Sequence, residues 1–366
     1  MGSKRFGSMR AAFVRPIAER REECALNLKQ LSQLLGLSQT TISRAINGYP
    51  EVSEETRQRV LKAAAETGYR PNRAAQRLAT GKAGSIGLVM PIEPNDTSDI
   101  HFAEFQRGLA EEALRHDFHL VIMPAAPRDE ELAIRWLVAS GSADGYYLAY
   151  MREKDPRIAM AKSLPVPFIV HGRSFGLETD YPFLDVDNEG AFHDAAHLLL
   201  QLGHRRFALL NGPEEFDFAI RRRIGAEAAL QEKGIDLAPD SIRHTAMTDQ
   251  AGFCGMSELL ERPDRPTAVL CASTVLALGA VRAINRAGLR LGEDISLIAH
   301  DDVLPLLKPE NFTVPLTTTR SSLRAAGIRI AQRLIAAIKK SEPQPQQHEL
   351  WKADLVIRAS TGPAPR

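Results

Sequence analysis

Apolar positions along the chain follow two rhythms, which change near residue 80. Between residues 28 and 68 they recur every three or four positions, the period of a helix that buries one face. Leu28, Leu31, Leu34 and Leu35 form the first run, and Gly36 offers the left-handed conformation that ends it. Ser38 is a good N-cap for a second helix in which Ile42, Ala45 and Ile46 share a face, while Gln39, Thr40, Ser43 and Arg44 point elsewhere. Asn47-Gly48 and Tyr49-Pro50 break that helix. Ser53 announces a third, with Glu54 and Glu55 favouring the dipole of its first turn and Gly68 following Val60, Leu61 and Ala64. Three short helices with a tight turn between the first two predict a helix-turn-helix.

Beyond residue 80, short apolar runs alternate with amphipathic stretches. Strands are expected at 85–90, 119–123, 145–150, 167–171, 207–210, 268–271 and 295–299, and helices at 102–115, 130–139, 190–202, 220–233 and 275–287. This alternation predicts parallel sheets made of right-handed βαβ units. The fold class is α/β, with a small all-α head, and residues 83–366 suffice for two doubly wound sheets. A chain of 366 residues is also long for a single core. The division expected is a disordered N-terminal extension (1–26), a helix-turn-helix head (27–70), a short helix and linker (71–82) and an α/β body of two sheets (83–366).

Charge separates the same two parts. The chain carries a net +1, yet residues 1–82 hold 15 Lys and Arg against 7 Asp and Glu, a net of +8. That leaves 31 against 38, a net of −7, for residues 83–366. A basic head on an acidic body points to nucleic acid as the head's partner, although a solvated basic tail contributes, because six of the 15 positive charges precede the helices. The first 26 residues contain no apolar core segment and do not read as a signal peptide. The longest mainly apolar stretch, 267–281, includes Thr and Ser and is too short to span a bilayer. Cys24, Cys254 and Cys271 are odd in number and widely spaced, which suits a reducing compartment. A cytoplasmic, nucleoid-associated protein is expected.

In a helix-turn-helix the second helix lies in the major groove with its N-terminal residues against the base edges. The Gln39 amide and Thr40 hydroxyl suit base edges, and Arg44 offers a bidentate fork to guanine. Ser38, Thr41 and Ser43 are short donors suited to phosphate. After Tyr69-Arg70-Pro71-Asn72, the run RAAQRLAT has high helix propensity but spans only about two turns, too few to persist alone. Arg73 and Arg77 for phosphates and Leu78 as an apolar wedge make a DNA minor groove a fitting partner. A linker with incidental helicity is the competing reading.

LKQLSQLLGLSQTTISRAINGYPEVSEETRQRVLKAAAETGYRPNRAAQRLAT, residues 28–80, resembles the DNA-binding head and hinge of the lactose-repressor/galactose-repressor (LacI/GalR) family of bacterial regulators. The S-x-T-x-S-R helix, the V-S-x-x-T-R opening of the third helix and the Y-x-P-N-x-x-A-x-x-L-A hinge carry the likeness. The resemblance implies base reading by Gln39, Thr40 and Arg44, backbone contacts by Ser38, Thr41, Ser43, Asn47 and Asn72, and intercalation by Leu78; Arg73 and Ala75 are expected to contact DNA beside them. It extends more loosely over the body through Asp187-Asn188-Glu189-Gly190, Leu202-Gly203-His204-Arg205-Arg206 and Pro315-Leu316-Thr317-Thr318. That implies a periplasmic-binding-protein-like core of two α/β subdomains with an effector in the cleft. Arg222, in Ala219-x-x-Arg222-x-x-Gly225, matches an effector-binding Arg, and Asp301 an effector-binding Asp. Ser273-Thr274 stands where the family commonly has Asn-Asp, so sugar identity does not transfer simply.

Ligands of open α/β sheets bind beyond the carboxyl ends of strands. Those positions are polar here, and Asp99, His101, Phe102, Arg173, Phe183, Arg222, Ser273 and Asp301 are the expected effector contacts. Charged forks with aromatic faces suit a polyhydroxylated ligand, although each residue singly also reads as a cap or turn. The chain is similar to rhizobial regulators of α-glucoside utilisation within that family, which makes sucrose, maltose or trehalose the expected effector.

Catalytic readings are weaker. Gly172-Arg173-Ser174-Phe175-Gly176 fits G-x-S-x-G, but 177–182 reads as loop where a nucleophile elbow requires a helix. His193 and His197 have zinc-chelating spacing, with Asp194 in place of the Glu of H-E-x-x-H and no third ligand apparent. The Gly-rich 81–87 precedes a strand instead of following one, so it is not a phosphate loop. The expectation is a non-enzymatic regulator without metal or cofactor, a homodimer or tetramer on a pseudo-palindromic operator, released by a mono- or disaccharide. A sugar sensor without a DNA role is the alternative.

Overall fold

The computed structural model describes residues 26–69, 81–92, 100–340 and 348–366. Residues 1–25, and with them Cys24, lie outside the described residues, as do Asn72, Arg73, Ala75, Leu78 and Asp99. Two compact units divide the chain between Gly81 and Lys82.

The head contains α1 (Leu28–Leu35), α2 (Gln39–Ile46) and α3 (Glu54–Thr67). Asn27 caps α1 reciprocally: its Oδ1 accepts from Gln30 N at 3.0 Å, and Gln30 Oε1 accepts from Asn27 N at 2.8 Å. Gly36 turns the chain with φ of 65°, and Ser38 Oγ, accepting from Thr41 N at 3.0 Å, restarts it as α2. Ser53 Oγ accepts from Thr56 N at 3.3 Å and opens α3. Leu31, Ile42, Ala45, Val60 and Ala63 meet between the helices as a small buried core. That core uses one face of α2 and leaves the other to solvent.

The body's strands in chain order are β1 (Ser85–Pro91), β2 (His119–Ala125), β3 (Gly145–Leu148), β4 (Phe168–His171), β5 (Phe183–Val186), β6 (Phe207–Asn211), β7 (Ile242–His244), β8 (Ala268–Cys271), β9 (Ser296–Asp301), β10 (Thr317–Arg320), β11 (His348–Trp351) and β12 (Asp354–Val356). One sheet runs β11-β5-β4-β3-β1-β2 and is parallel throughout. The other runs β12-β10-β9-β8-β6-β7 and is parallel except where β12 pairs with β10.

The helices are α4 (Ile100–Arg115), α5 (Glu130–Ala139), α6 (Pro156–Ser163), α7 (Asn188–Gln201), α8 (Asp217–Gln231), α9 (Asp249–Leu260), α10 (Thr274–Arg286) and α11 (Leu323–Lys339). On the first sheet α4 and α11 bury Phe105, Leu109, Ile330 and Leu334, while α5 and α6 bury Ile134, Leu137 and Ile158 in a second cluster. On the other sheet Met256 and Ile284 of α9 and α10 pack in one cluster, and Leu199 and Leu230 of α7 and α8 in another. The backbones of α4 and α11 touch, because a Cβ on Gly108 would lie 2.0 Å from Arg324 O and one on Gly327 would lie 2.2 Å from Phe105 O.

Among the described residues the chain passes between the sheets three times, at 186–188, 320–323 and 351–354. Tyr150, expected in the third strand, instead takes φ of 52° and leaves β3 ending at Leu148. Phe183, read as a loop aromatic, belongs to β5.

Candidate functional site

The two subdomains of the body meet beyond the carboxyl ends of their strands. Asp217 N, at the start of α8, donates to Met151 O at 2.8 Å, and Arg152 forms an isolated bridge with Phe216. His101 Nε2 of α4 stands 3.4 Å from Asp302 Oδ2, just past β9. The Tyr150 and Phe216 rings face each other with centroids 5.7 Å apart, and Phe102 lies 6.4 Å from Tyr150. Aromatic faces and charges from both subdomains thus share one cleft.

Arg222 occupies its floor. Its Nε donates to Asn188 Oδ1 at 2.8 Å and its Nη1 to Ala272 O at 2.6 Å, which ties a crossover to the end of β8. The guanidinium stands 4.9 Å from the Phe218 ring centroid and 5.3 Å from that of Phe192. Burial lowers its pKa to about 10 against the pull of Asp302 and Asp185, so it stays charged at neutral pH. His300 lies 3.0 Å from both Thr319 Oγ1 and Ser321 Oγ, and burial, reinforced by Arg222 and His101, keeps its pKa well below the usual range.

Arg173 Nε donates to Asp185 Oδ2 at 2.8 Å, yet burial still raises the Asp185 pKa. Asp217 Oδ2 accepts from Arg221 Nε at 2.7 Å, and burial, with Asp185 adding repulsion, raises its carboxyl to about 6. Asp301 is buried; its Oδ1 accepts from Val303 N at 2.8 Å and Arg320 stands 3.6 Å away. Ser273 Oγ accepts from Leu276 N at 3.1 Å, which makes it the cap of α10. The Phe183 ring is packed in the core, stacked on His348 at 4.9 Å with the Arg173 guanidinium 5.8 Å above it.

The structure therefore brings His101, Phe102, Arg173 and Arg222 around the cleft and spends Ser273 on the α10 cap; it draws Phe183 back into the core and turns Asp301 to Val303 N and Arg320, leaving Asp302 beside His101. Asp217 and Arg221 lie there too, and the sequence marks only Arg221, through the run Arg221-Arg222-Arg223.

The patterns that suggested catalysis have other uses. Ser174 donates to Arg152 O at 2.8 Å and accepts from Asp155 N at 2.9 Å, and a loop follows it. His193 Nε2 stands 3.0 Å from Glu232 Oε1, and His197 Nε2 is 2.9 Å from Gln201 Nε2. Among the described residues no group of three or more His, Cys, Asp and Glu is arranged to hold a metal ion, and no helix is long and apolar enough to cross a membrane.

In the head, Gln39, Thr40 and Arg44 are exposed on α2, opposite the buried Ile42 and Ala45. Ser38 is spent on the cap and also contacts Thr41 Oγ1 at 2.8 Å, and Asn47 Nδ2 donates to Ser43 O at 2.8 Å. Cap and turn hold the N-terminal end of α2 in a fixed position relative to α1.

Residues 27–72 match the model of bacterial regulatory proteins of the lacI family, and residues 196–361 match a periplasmic binding protein-like domain. The chain is 68% identical over 340 residues to the HTH-type transcriptional regulator AglR of Rhizobium meliloti strain 1021, covering 93% of this chain and 95% of AglR. It belongs to the lacI family of bacterial regulatory proteins. As such it is a transcriptional regulator, with a helix-turn-helix head on a body of two parallel-sheet subdomains. Among solved lacI-family structures, the lac repressor dimer bound to operator and the anti-inducer ONPF aligns with a TM-score of 0.76 at 26% identity, covering 92% of this chain and 99% of that one. The CelR–cellobiose complex aligns with a TM-score of 0.67 at 27% identity and the same coverage.

Proposed function

We propose that this regulator is a repressor that binds a pseudo-palindromic operator as a homodimer and releases it when an α-glucoside disaccharide enters the cleft. The observation that carries the effector reading is the buried Arg222, held between the Asn188 crossover and the end of β8. A ligand hydroxyl that competes for this guanidinium changes how the crossover is held and favours one arrangement of the subdomains. His101, Phe102, Arg173, Ser273, Asp301 and, in this reading, Asp99 line the same site, with Phe183 supporting Arg173 from behind. The likeness to a family member solved with cellobiose supports a disaccharide.

Gln39, Thr40 and Arg44 read base edges, while Ser38, Thr41, Ser43, Asn47, Asn72, Arg73 and Ala75 set register on the backbone. Leu78 wedges the minor groove. One head offers too little contact for specific binding, so two heads on a symmetric site multiply it. The solved lac repressor dimer on operator supports this arrangement. The exposed polar face of α2 weighs against a sugar sensor with no DNA role.

Fluorescence anisotropy at fixed salt, on operator-like DNA from beside the protein's own gene, tests the reading. The full palindrome should bind at least about a hundredfold more tightly than one half-site or random DNA. Equal affinity for half-site and palindrome would defeat the paired-head arrangement, and equal affinity for random DNA would defeat specific recognition.

A further inference from the structure

Asp217 is placed at a cost. It is 2% exposed, its Oδ2 is paired with Arg221, and its Oδ1 is shielded from solvent with no hydrogen-bond donor. A buried carboxylate oxygen without a donor is expensive, and such groups persist where a ligand supplies the missing partner. Thr274 repeats the pattern: it is fully buried at the start of α10, and its Oγ1 has no partner. The two residues follow β6 and β8, which are adjacent strands, and Arg222 joins the same region through Ala272 O.

Two of the cations around them are already paired. Arg173 is met by Asp185 and Arg221 by Asp217, while Arg222 bonds the neutral oxygens of Asn188 and Ala272 and feels Asp302 and Asp185 at longer range. A ligand carboxylate or phosphate entering beside Asp217 would be repelled by Asp217 and by Asp185, which already raises the Asp217 carboxyl. A neutral hydroxyl, in contrast, supplies the donor that Oδ1 lacks.

We infer that Asp217 is a specificity residue of the effector site, accepting a hydroxyl of a neutral polyol and excluding anionic sugars. This rests on the reading of the cleft as a sugar site, and it adds a residue and a charge rule to that reading.

Isothermal titration of the full-length protein with maltose and trehalose, and with their anionic counterparts maltobionate and trehalose 6-phosphate, tests it. The wild type should bind a neutral sugar at least about tenfold more tightly than its anionic counterpart, because like charges in a closed site repel. Asp217→Ala should weaken neutral-sugar binding by about ten- to a hundredfold, the worth of a hydrogen bond to a charged acceptor. Asp217→Asn, which keeps the shape, should narrow the gap between neutral and anionic ligands, and a circular dichroism melt verifies that each variant is folded.

Unchanged neutral-sugar affinity in a folded Asp217→Ala overturns the inference and leaves the sugar-site reading standing. Tight binding of maltobionate or trehalose 6-phosphate by the wild type overturns the charge rule and leaves a sugar effector in place. If no neutral disaccharide binds the wild type, the sugar-site reading fails and this inference falls with it.

Discussion

Asp217 and Arg222 are charged side chains buried beside the cleft, and burial costs each of them stability. The Asp217 carboxyl, raised to about 6 from an ordinary 3.8, holds its proton more tightly in the folded body than in the unfolded chain. Its contribution is therefore fully favourable only below pH 3.8 and is lost as the pH rises through about 6, where the ionised form costs on the order of 1–3 kcal/mol. Asp217→Asn should accordingly raise the melting temperature at pH 7.5, with the advantage shrinking toward pH 4. A variant melting below the wild type at pH 7.5 would contradict that electrostatic account. Arg222→Ala removes a charge that satisfies Asn188 Oδ1 and Ala272 O, so it should cost about 2–4 kcal/mol in denaturant unfolding and abolish any effector response. A normal response would remove Arg222 from the site. Arg222 was legible in the chain because its motif, Ala219-x-x-Arg222-x-x-Gly225, resembles the family's. Asp217 was not, because an acidic residue at the first position of a helix reads as an ordinary complement to the dipole.

Elements were legible in proportion to how apolar they are. β8 is AVLC and fully buried, and its run stands out at once. β5 (FLDV) carries Asp185 at its third position, and β10 is TTTR, so neither shows a hydrophobic run although both lie inside their sheets. Their strand identity comes from neighbours distant in sequence, which a local pattern does not record. The approach of α4 to α11 is of the same kind, since nothing near Gly108 announces that Arg324 O will lie against it. Gly108→Ala should destabilise the body by at least about 1–3 kcal/mol in thermal unfolding, because the added methyl meets backbone rather than a movable side chain. A neutral effect would mean that the two helices separate easily. At the hinge, Leu78→Ala should preserve melting temperature and sugar binding while weakening operator binding by tenfold or more, about 1.4 kcal/mol for the lost wedge. Unchanged operator affinity would refute the wedge.

At the scale of the whole molecule, two properties of the chain point the same way. A net charge of +8 on residues 1–82 against −7 on the remainder is a separation that a single-purpose domain does not need. Among the described residues three crossovers join the two sheets, and Arg222 is bonded to one of them, which is where the proposed ligand would act on the subdomains. The charge separation was plain in the sequence. That several crossovers join the subdomains is implied by the family resemblance, but their places were not plain, since the chain returns at β11 to pair with β5 after crossing the other subdomain. In the proposed mechanism the occupied cleft and the operator-bound head are linked, and linkage of binding is reciprocal. The most direct measurement is the anisotropy of the full-length protein on its palindromic operator at fixed salt, titrated with maltose, trehalose and sucrose in turn. At least one of them should release the DNA, weakening operator affinity by about fivefold or more. Tight operator binding that all three sugars leave unaltered would contradict it.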